Sequence, residues 1–200
     1  MFFLLLAPVL GWAVDSEFHL LVDPLPKSYR VTTERGLGDQ ERSGRYDEHI
    51  GVLADLSVAL PTQGFTPELY PLGGIGFGYA YRRERDLLDQ ALRLKFHYGL
   101  AYRPWSAVRF DLQVFLAPQL DFTTLPQDMV NGPSERDWLL SGLAYGADAG
   151  VVLQLRPWLA CTLRGGVEGD YVSSRGDNGI TVTLRDGGPV AALGVVLISD

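Results

Sequence analysis

Residues 92–102 read Leu-Arg-Leu-Lys-Phe-His-Tyr-Gly-Leu-Ala-Tyr, and their alternation decides the fold. In an extended chain successive side chains point to opposite faces. Leu92, Leu94, Phe96, Tyr98, Leu100 and Tyr102 therefore line one side of a strand, and Arg93, Lys95, His97, Gly99 and Ala101 the other. The next segment repeats the pattern, with Val108, Phe110, Leu112, Val114 and Leu116 against Arg109, Asp111, Gln113 and Phe115. So do Leu143 to Leu155 against Gly142 to Gln154, and Ile75, Phe77, Tyr79 and Tyr81 against Gly74, Gly76, Gly78 and Ala80. Upstream, Ile50, Val52, Ala54, Leu56 and Val58 alternate with His49, Gly51, Asp55 and Ser57. Five segments with one apolar face each predict an all-β chain.

Which face looks out follows from the partners of the charges. Arg93, Lys95, Arg109, Asp111, Asp148, Arg164 and Glu168 are of mixed sign and share their face with glycine and alanine. A solvated strand face would be richer in Lys, Glu and Thr. The opposite face is Leu, Val, Phe and Tyr with almost no ionisable group, as a lipid-facing surface requires, since an Arg or Lys at mid-membrane costs about 2–4 kcal/mol there. The reading is a transmembrane, antiparallel up-and-down β-barrel with apolar rows toward lipid and the glycine-and-charge rows toward the lumen. Closure is required because an open sheet edge cannot be tolerated in hydrocarbon. The 23 glycines in 200 residues fit an interior that must be small; about 7% is usual. Tyr98, Tyr102, Trp105, Tyr145, Trp158 and Tyr171 are expected to form an interfacial girdle.

Tyr102-Arg103-Pro104-Trp105 and Leu155-Arg156-Pro157-Trp158 each lie between two alternating segments and predict tight hairpins. Parity makes each pairing sum even. A three-residue loop, Pro104 to Ser106, sets the first sum near 210, with Gly99 opposite Asp111, Ala101 opposite Arg109 and His97 opposite Gln113. Taking these hairpins as periplasmic, strands are expected at 27–34, 47–60, 73–83, 91–103, 107–120, 138–155, 159–172 and 188–198. The long link from Pro61 to Leu72 leaves eight strands or ten. External loops then fall at 35–46, 84–90, 121–137 and 173–187, with a short strand at Ile180 to Leu184 in the last.

The apolar run Phe2 to Leu10, ending in Gly11-Trp12-Ala13, is too short to span a bilayer as a helix and reads as a signal peptide over 1–13. Residues 14–26 are expected to be a periplasmic lead-in and 27–200 the barrel domain.

On these strands, hairpins and leader, the chain resembles the small outer-membrane barrel families of the OmpA-transmembrane and OmpX type over residues 27–198. The resemblance implies an eight-stranded barrel in the bacterial outer membrane. It departs at Val195 to Asp200, where such barrels end on an aromatic residue.

The chemistry-bearing residues name no reaction. Cys161 is the single cysteine, so no internal disulfide and no Cys/His metal cluster is expected. It shares parity with Leu163 and Val167 and should face lipid. His19, His49 and His97 have no metal-ligand spacing, and no Gly-x-Ser-x-Gly elbow occurs. No cofactor and no catalytic group is expected, and the net charge of −7 argues against a nucleic-acid partner. Asp55, Arg93, Lys95, His97, Arg109, Asp111, Asp148, Arg164 and Glu168 are expected to meet across the lumen as an ion-pair network, either a structural plug or the lining of a narrow pore. Functions compatible with this are a non-enzymatic envelope barrel, a passive channel or a lipid-modifying enzyme. Binding of other envelope proteins would use loops 121–137 and 173–187.

Overall fold

A computed structural model describes residues 16–35, 38–59, 66, 68–130, 136–176 and 179–199; the expected signal peptide over 1–13 lies outside them. Ten strands run in chain order: β1 (Ser16–Asp23), β2 (Ser28–Arg35), β3 (Gly38–Arg45), β4 (Glu48–Ala59), β5 (Leu69–Glu84), β6 (Leu87–Trp105), β7 (Val108–Thr124), β8 (Asp137–Arg156), β9 (Leu159–Arg175) and β10 (Thr181–Ser199). Eight of them form a closed antiparallel ring, β1-β4-β5-β6-β7-β8-β9-β10, with β10 returning to β1. The remaining two, β2 and β3, form a hairpin carried on the outer half of β10. The fold is the expected up-and-down barrel of eight strands, with one hairpin added.

The hairpin corrects the first strand. Residues 16–23, expected in the lead-in, are β1 and pair with both β4 and β10. The segment expected as first strand, 27–34, falls on β2, above it on the same neighbour. The cause is Pro24-Leu25-Pro26: two residues without an N–H donor interrupt what would be one long strand. Side chains replace part of the missing ladder. Asp23 accepts from the Leu25 and Ala191 amides, at 3.0 and 3.3 Å, and Lys27 Nζ donates to the Pro189 carbonyl at 2.6 Å. The expected loop 35–46 is mostly β3, and Ile180 to Leu184, expected as a separate strand, largely belongs to the continuous β10.

The two Arg-Pro-Trp hairpins exist with a different register. Tyr102 pairs with Phe110, so the sum is 212: Gly99 faces Gln113, Ala101 faces Asp111 and His97 faces Phe115. The loop is a two-residue turn, Ser106-Ala107, preceded by a β-bulge between Tyr102 and Trp105. The two-residue turn alone gives an odd sum, with Trp105 opposite Val108; the bulge adds one unpaired residue, which shifts the sum by one and restores the even parity. The second turn is also two residues, Pro157-Trp158, with its own bulge at Gln154 to Arg156. Thus Pro104 sits in a bulge and Pro157 in a turn.

Facing is as the parity requires. Leu112, Val114 and Leu116 of β7 are 59%, 57% and 51% exposed, whereas Arg109, Asp111 and Gln113 between and beside them are buried. The same holds for Phe96 and Tyr98 against Lys95 and His97. Cys161 pairs with Leu153 and Val195, both exposed, on the outer face. Strands such as β8, at 20 residues, are about twice the length needed to cross a bilayer. Their surplus rises at the end opposite the termini.

Inward glycines permit the tight curvature. A Cβ on Gly142 would collide with the Tyr171 carbonyl, and one on Gly99 with that of Leu112. Outward Gly165 has its nearest neighbour, the Val190 carbonyl, at 3.8 Å. Gly142→Val is therefore expected to abolish the heat-modifiable folded band on gels, while Gly165→Val leaves it intact.

Candidate functional site

The lumen is filled in two tiers. In the tier nearer the termini, the Arg109 guanidinium is shared between Asp111, at 2.7 Å from Nε, and Glu17, at 2.6 Å from Nη2. Arg164 donates to Gln113 at 2.6 Å and lies 3.4 Å from Asp148 and 3.8 Å from Asp111. Lys95 reaches Asp148 at 3.6 Å, with its ammonium 4.6 Å from the centre of the Phe115 ring. His97 crosses over Gly74, which has no side chain to obstruct it, and stands between Asp55 at 3.3 Å and the Ser57 hydroxyl at 3.1 Å.

In the upper tier Arg93 bridges Glu168 and Asp170 at 3.1 and 2.9 Å. Fully buried Arg82 meets Asp170 at 3.3 Å, Asp89 at 3.5 Å and Asp186 in closer contact. Gln119 donates to Asp121 and Asp170, at 2.9 and 3.0 Å. Lys27 joins Asp23 at 2.8 Å and Glu168 at 3.5 Å. Between the tiers lies a cavity of about 90 Å³ touching His49, Lys95, Asp148 and Glu168, room for a few water molecules.

All nine residues expected in the lumen are there; eight of them contact a group of opposite charge or a hydrogen-bonding partner, and Asp55 has the His97 ring at 3.3 Å. Missed were Glu17, His19 and Asp23, which fell in the expected lead-in, and Lys27, the first residue of the expected first strand. Also missed were Arg82, Asp89, Asp121, Asp170 and Asp186. Asp89, Asp121 and Asp186 lay in or at the edge of expected loops, yet Asp89 has the parity of Arg93 and Asp121 that of Gln119. Carrying the alternation one pair further would have found both.

Above the polar tiers the barrel is closed by an apolar cluster. Tyr29, Val31 and Tyr46 from the β2–β3 hairpin pack on Leu87, Leu125, Leu140, Val172 and Leu184, all buried. The Tyr29 and Tyr46 rings lie 4.9 Å apart. Arg42 ties the hairpin to the β5–β6 turn and to the 3-10 turn Gln127–Met129, with Glu84, Asp86 and Asp128 at 3.6, 3.4 and 3.6 Å.

Asp86, in the β5–β6 turn, is half exposed. Burial works to raise its carboxyl and is outweighed by the Gln127 N–H that donates to it at 3.3 Å and by Arg42, so its pKa lies below the ordinary carboxylate value. A depressed value means that its contribution is complete above the ordinary pKa and is lost as pH falls through the lowered one. Protection of the β3 amides from exchange, relative to the intrinsic rate at each pH, is expected to fall on acidification in the native protein and to be less pH-sensitive in Asp86→Asn.

Among the described residues no group of three or more His, Cys, Asp or Glu is arranged to hold a metal ion.

A closed ring of eight antiparallel strands, with charge within and an apolar surface without, defines a small β-barrel of the outer-membrane type. No family model matches the chain, and no curated protein sequence matches it. Solved structures do. The outer membrane protease OmpT from Escherichia coli is 6% identical over 94% of this chain and 97% of its own, with a TM-score of 0.53. The outer membrane protein OprG from Pseudomonas aeruginosa is 11% identical over 94% and 96%, with a TM-score of 0.50. Neisserial surface protein A is 14% identical over 90% and 96%, with a TM-score of 0.47. The chain has the fold of the small bacterial outer-membrane barrels.

Proposed function

We propose that the protein is a non-conducting, non-enzymatic barrel of the bacterial outer membrane, with a structural or partner-binding role carried by its outer end. The observation that supports this is the occlusion of the lumen by two tiers of interlocked charges and the apolar cluster above them. An ion entering from either end would have to displace buried, paired groups, each costly to desolvate. The outer end combines the β2–β3 hairpin with residues 125–130, and loops positioned by a rigid scaffold are where binding groups concentrate. In planar bilayers the purified barrel is expected to give no unitary conductance; steady channel events would overturn the reading.

One observation favours a hydrolase: Ser57, His97 and Asp55 have the order of contacts of a nucleophile, base and orienting acid. Against it, all three are buried, and Ala59, Leu72 and Ala101 pack as an apolar layer at the same end of the lumen. A nucleophile without room for an acyl group beside it cannot act. A fluorophosphonate probe is expected to leave the folded protein unlabelled; labelling lost in Ser57→Ala would establish the enzyme.

A further inference from the structure

The outer half of β10 and the β2–β3 hairpin place three arginines on the outside of the barrel. Arg30 of β2 stands directly opposite Arg185 of β10. Arg45 of β3 is opposite Ser28, one pair below on the same face. Beside Arg30 and Arg185 the surface is hollow, with Arg45 next to its Gly44 wall: Ser28 faces Gly187, which continues into Gly169 of β9, and Ser43 flanks Arg30. Ser28, Arg30, Ser43, Arg185, Asp186 and Gly187 line this groove, the Asp186 carboxylate being paired with Arg82 in the lumen.

Like charges directly opposite on neighbouring strands repel, and little in the protein offsets them here. Arg30 has one carboxylate, Glu41 at 3.3 Å, and both are more than half exposed. Arg185 lies 5.0 Å from the centre of the Tyr171 ring, and neither it nor Arg45 makes an ion pair among the described residues. The depth is equally specific. Along β10 the outward residues run Leu197, Val195 and Leu193, all well exposed, then Ala191, Pro189 and Gly187, and the next is Arg185. Tyr171 beside it is an interfacial residue type. The cationic hollow therefore sits where the apolar band ends and headgroups begin. A guanidinium fork matches the oxygens of a phosphate bidentately, and the glycine and serine floor leaves room for one.

We propose that Arg30, Arg45 and Arg185 form a binding site for the phosphate of a membrane lipid headgroup at the outer interface. The test is native mass spectrometry of the folded barrel in detergent, titrated with phosphatidic acid, with phosphatidylcholine and with inorganic phosphate. Retention of phosphatidic acid over phosphatidylcholine is expected. It should fall about tenfold or more in the R30Q/R45Q/R185Q variant, which removes several charge-assisted contacts. Retention should rise in Glu41→Gln, where Arg30 is released. All variants are exposed on the outer surface, and retained heat-modifiable mobility verifies that they fold. Equal retention by the triple variant would overturn the site. Displacement of the lipid by inorganic phosphate at equal concentration would overturn its assignment to a lipid.

Discussion

Replacing Arg82 by leucine is expected to cost the barrel about 3–5 kcal/mol, the loss found when one partner of a buried ionic group is removed and the others stay. Arg82 is fully buried and is the shared cation of Asp89, Asp170 and Asp186, themselves buried. Asp170 keeps Arg93, but Asp89 and Asp186 lose the cation they share. Asp89 retains one donor, the Thr123 hydroxyl at 2.7 Å. The size of the effect lies in the stranded carboxylates, so Arg82→Leu combined with Asp186→Asn should be less damaging than the sum of the two single changes. The control is Arg30→Leu, whose ion pair with Glu41 is exposed and worth at most about 1 kcal/mol. Urea unfolding in lipid vesicles reads both. A loss below about 1 kcal/mol for Arg82→Leu would mean that the upper tier is wet.

The barrel and its facing were legible because the period of two is written into β6, β7 and β8 by large residues of opposite character. Alternation fixes the side on which each residue lies, and this placed Asp55, Lys95, Asp111 and Arg164 in the lumen without any knowledge of contacts. It does not fix register. A two-residue turn with a one-residue bulge and a three-residue turn without one both give an even sum, so 212 at the β6–β7 hairpin was indistinguishable from 210. Nor does alternation survive a proline pair. Pro24 and Pro26 cut a long strand into two, and the lower half, with Phe18, Leu20 and Val22 outward and Glu17 and His19 inward, passed for a lead-in. The apolar seal was the least legible element. Leu87, Leu125 and Leu140 are inward leucines at the rim, and in sequence they are the same residue type as the outward rows. Only the hairpin folded above them gives them a partner.

The outward rows give the second large effect, through a sign that no water-soluble barrel would share. Val114 is 57% exposed near the middle of β7, flanked by Tyr98 of β6 and Ala147 of β8 on the same face. On a soluble protein an exposed valine changed to arginine alters stability by about 0.5 kcal/mol or less. In this position the guanidinium would lie among acyl chains, far from either headgroup layer, at a cost of about 2–4 kcal/mol that falls toward zero near the interface. Val114→Arg should therefore lower the folding free energy in vesicles by that amount. Arginine introduced at Thr124, at the rim end of the same strand, should cost about 1 kcal/mol or less. The gradient, more than either value, carries the meaning, because packing losses would not scale with depth. A flat profile along β7 would show that these rows meet water and would remove the membrane from the account, together with the lipid site at Arg30, Arg45 and Arg185 that depends on it.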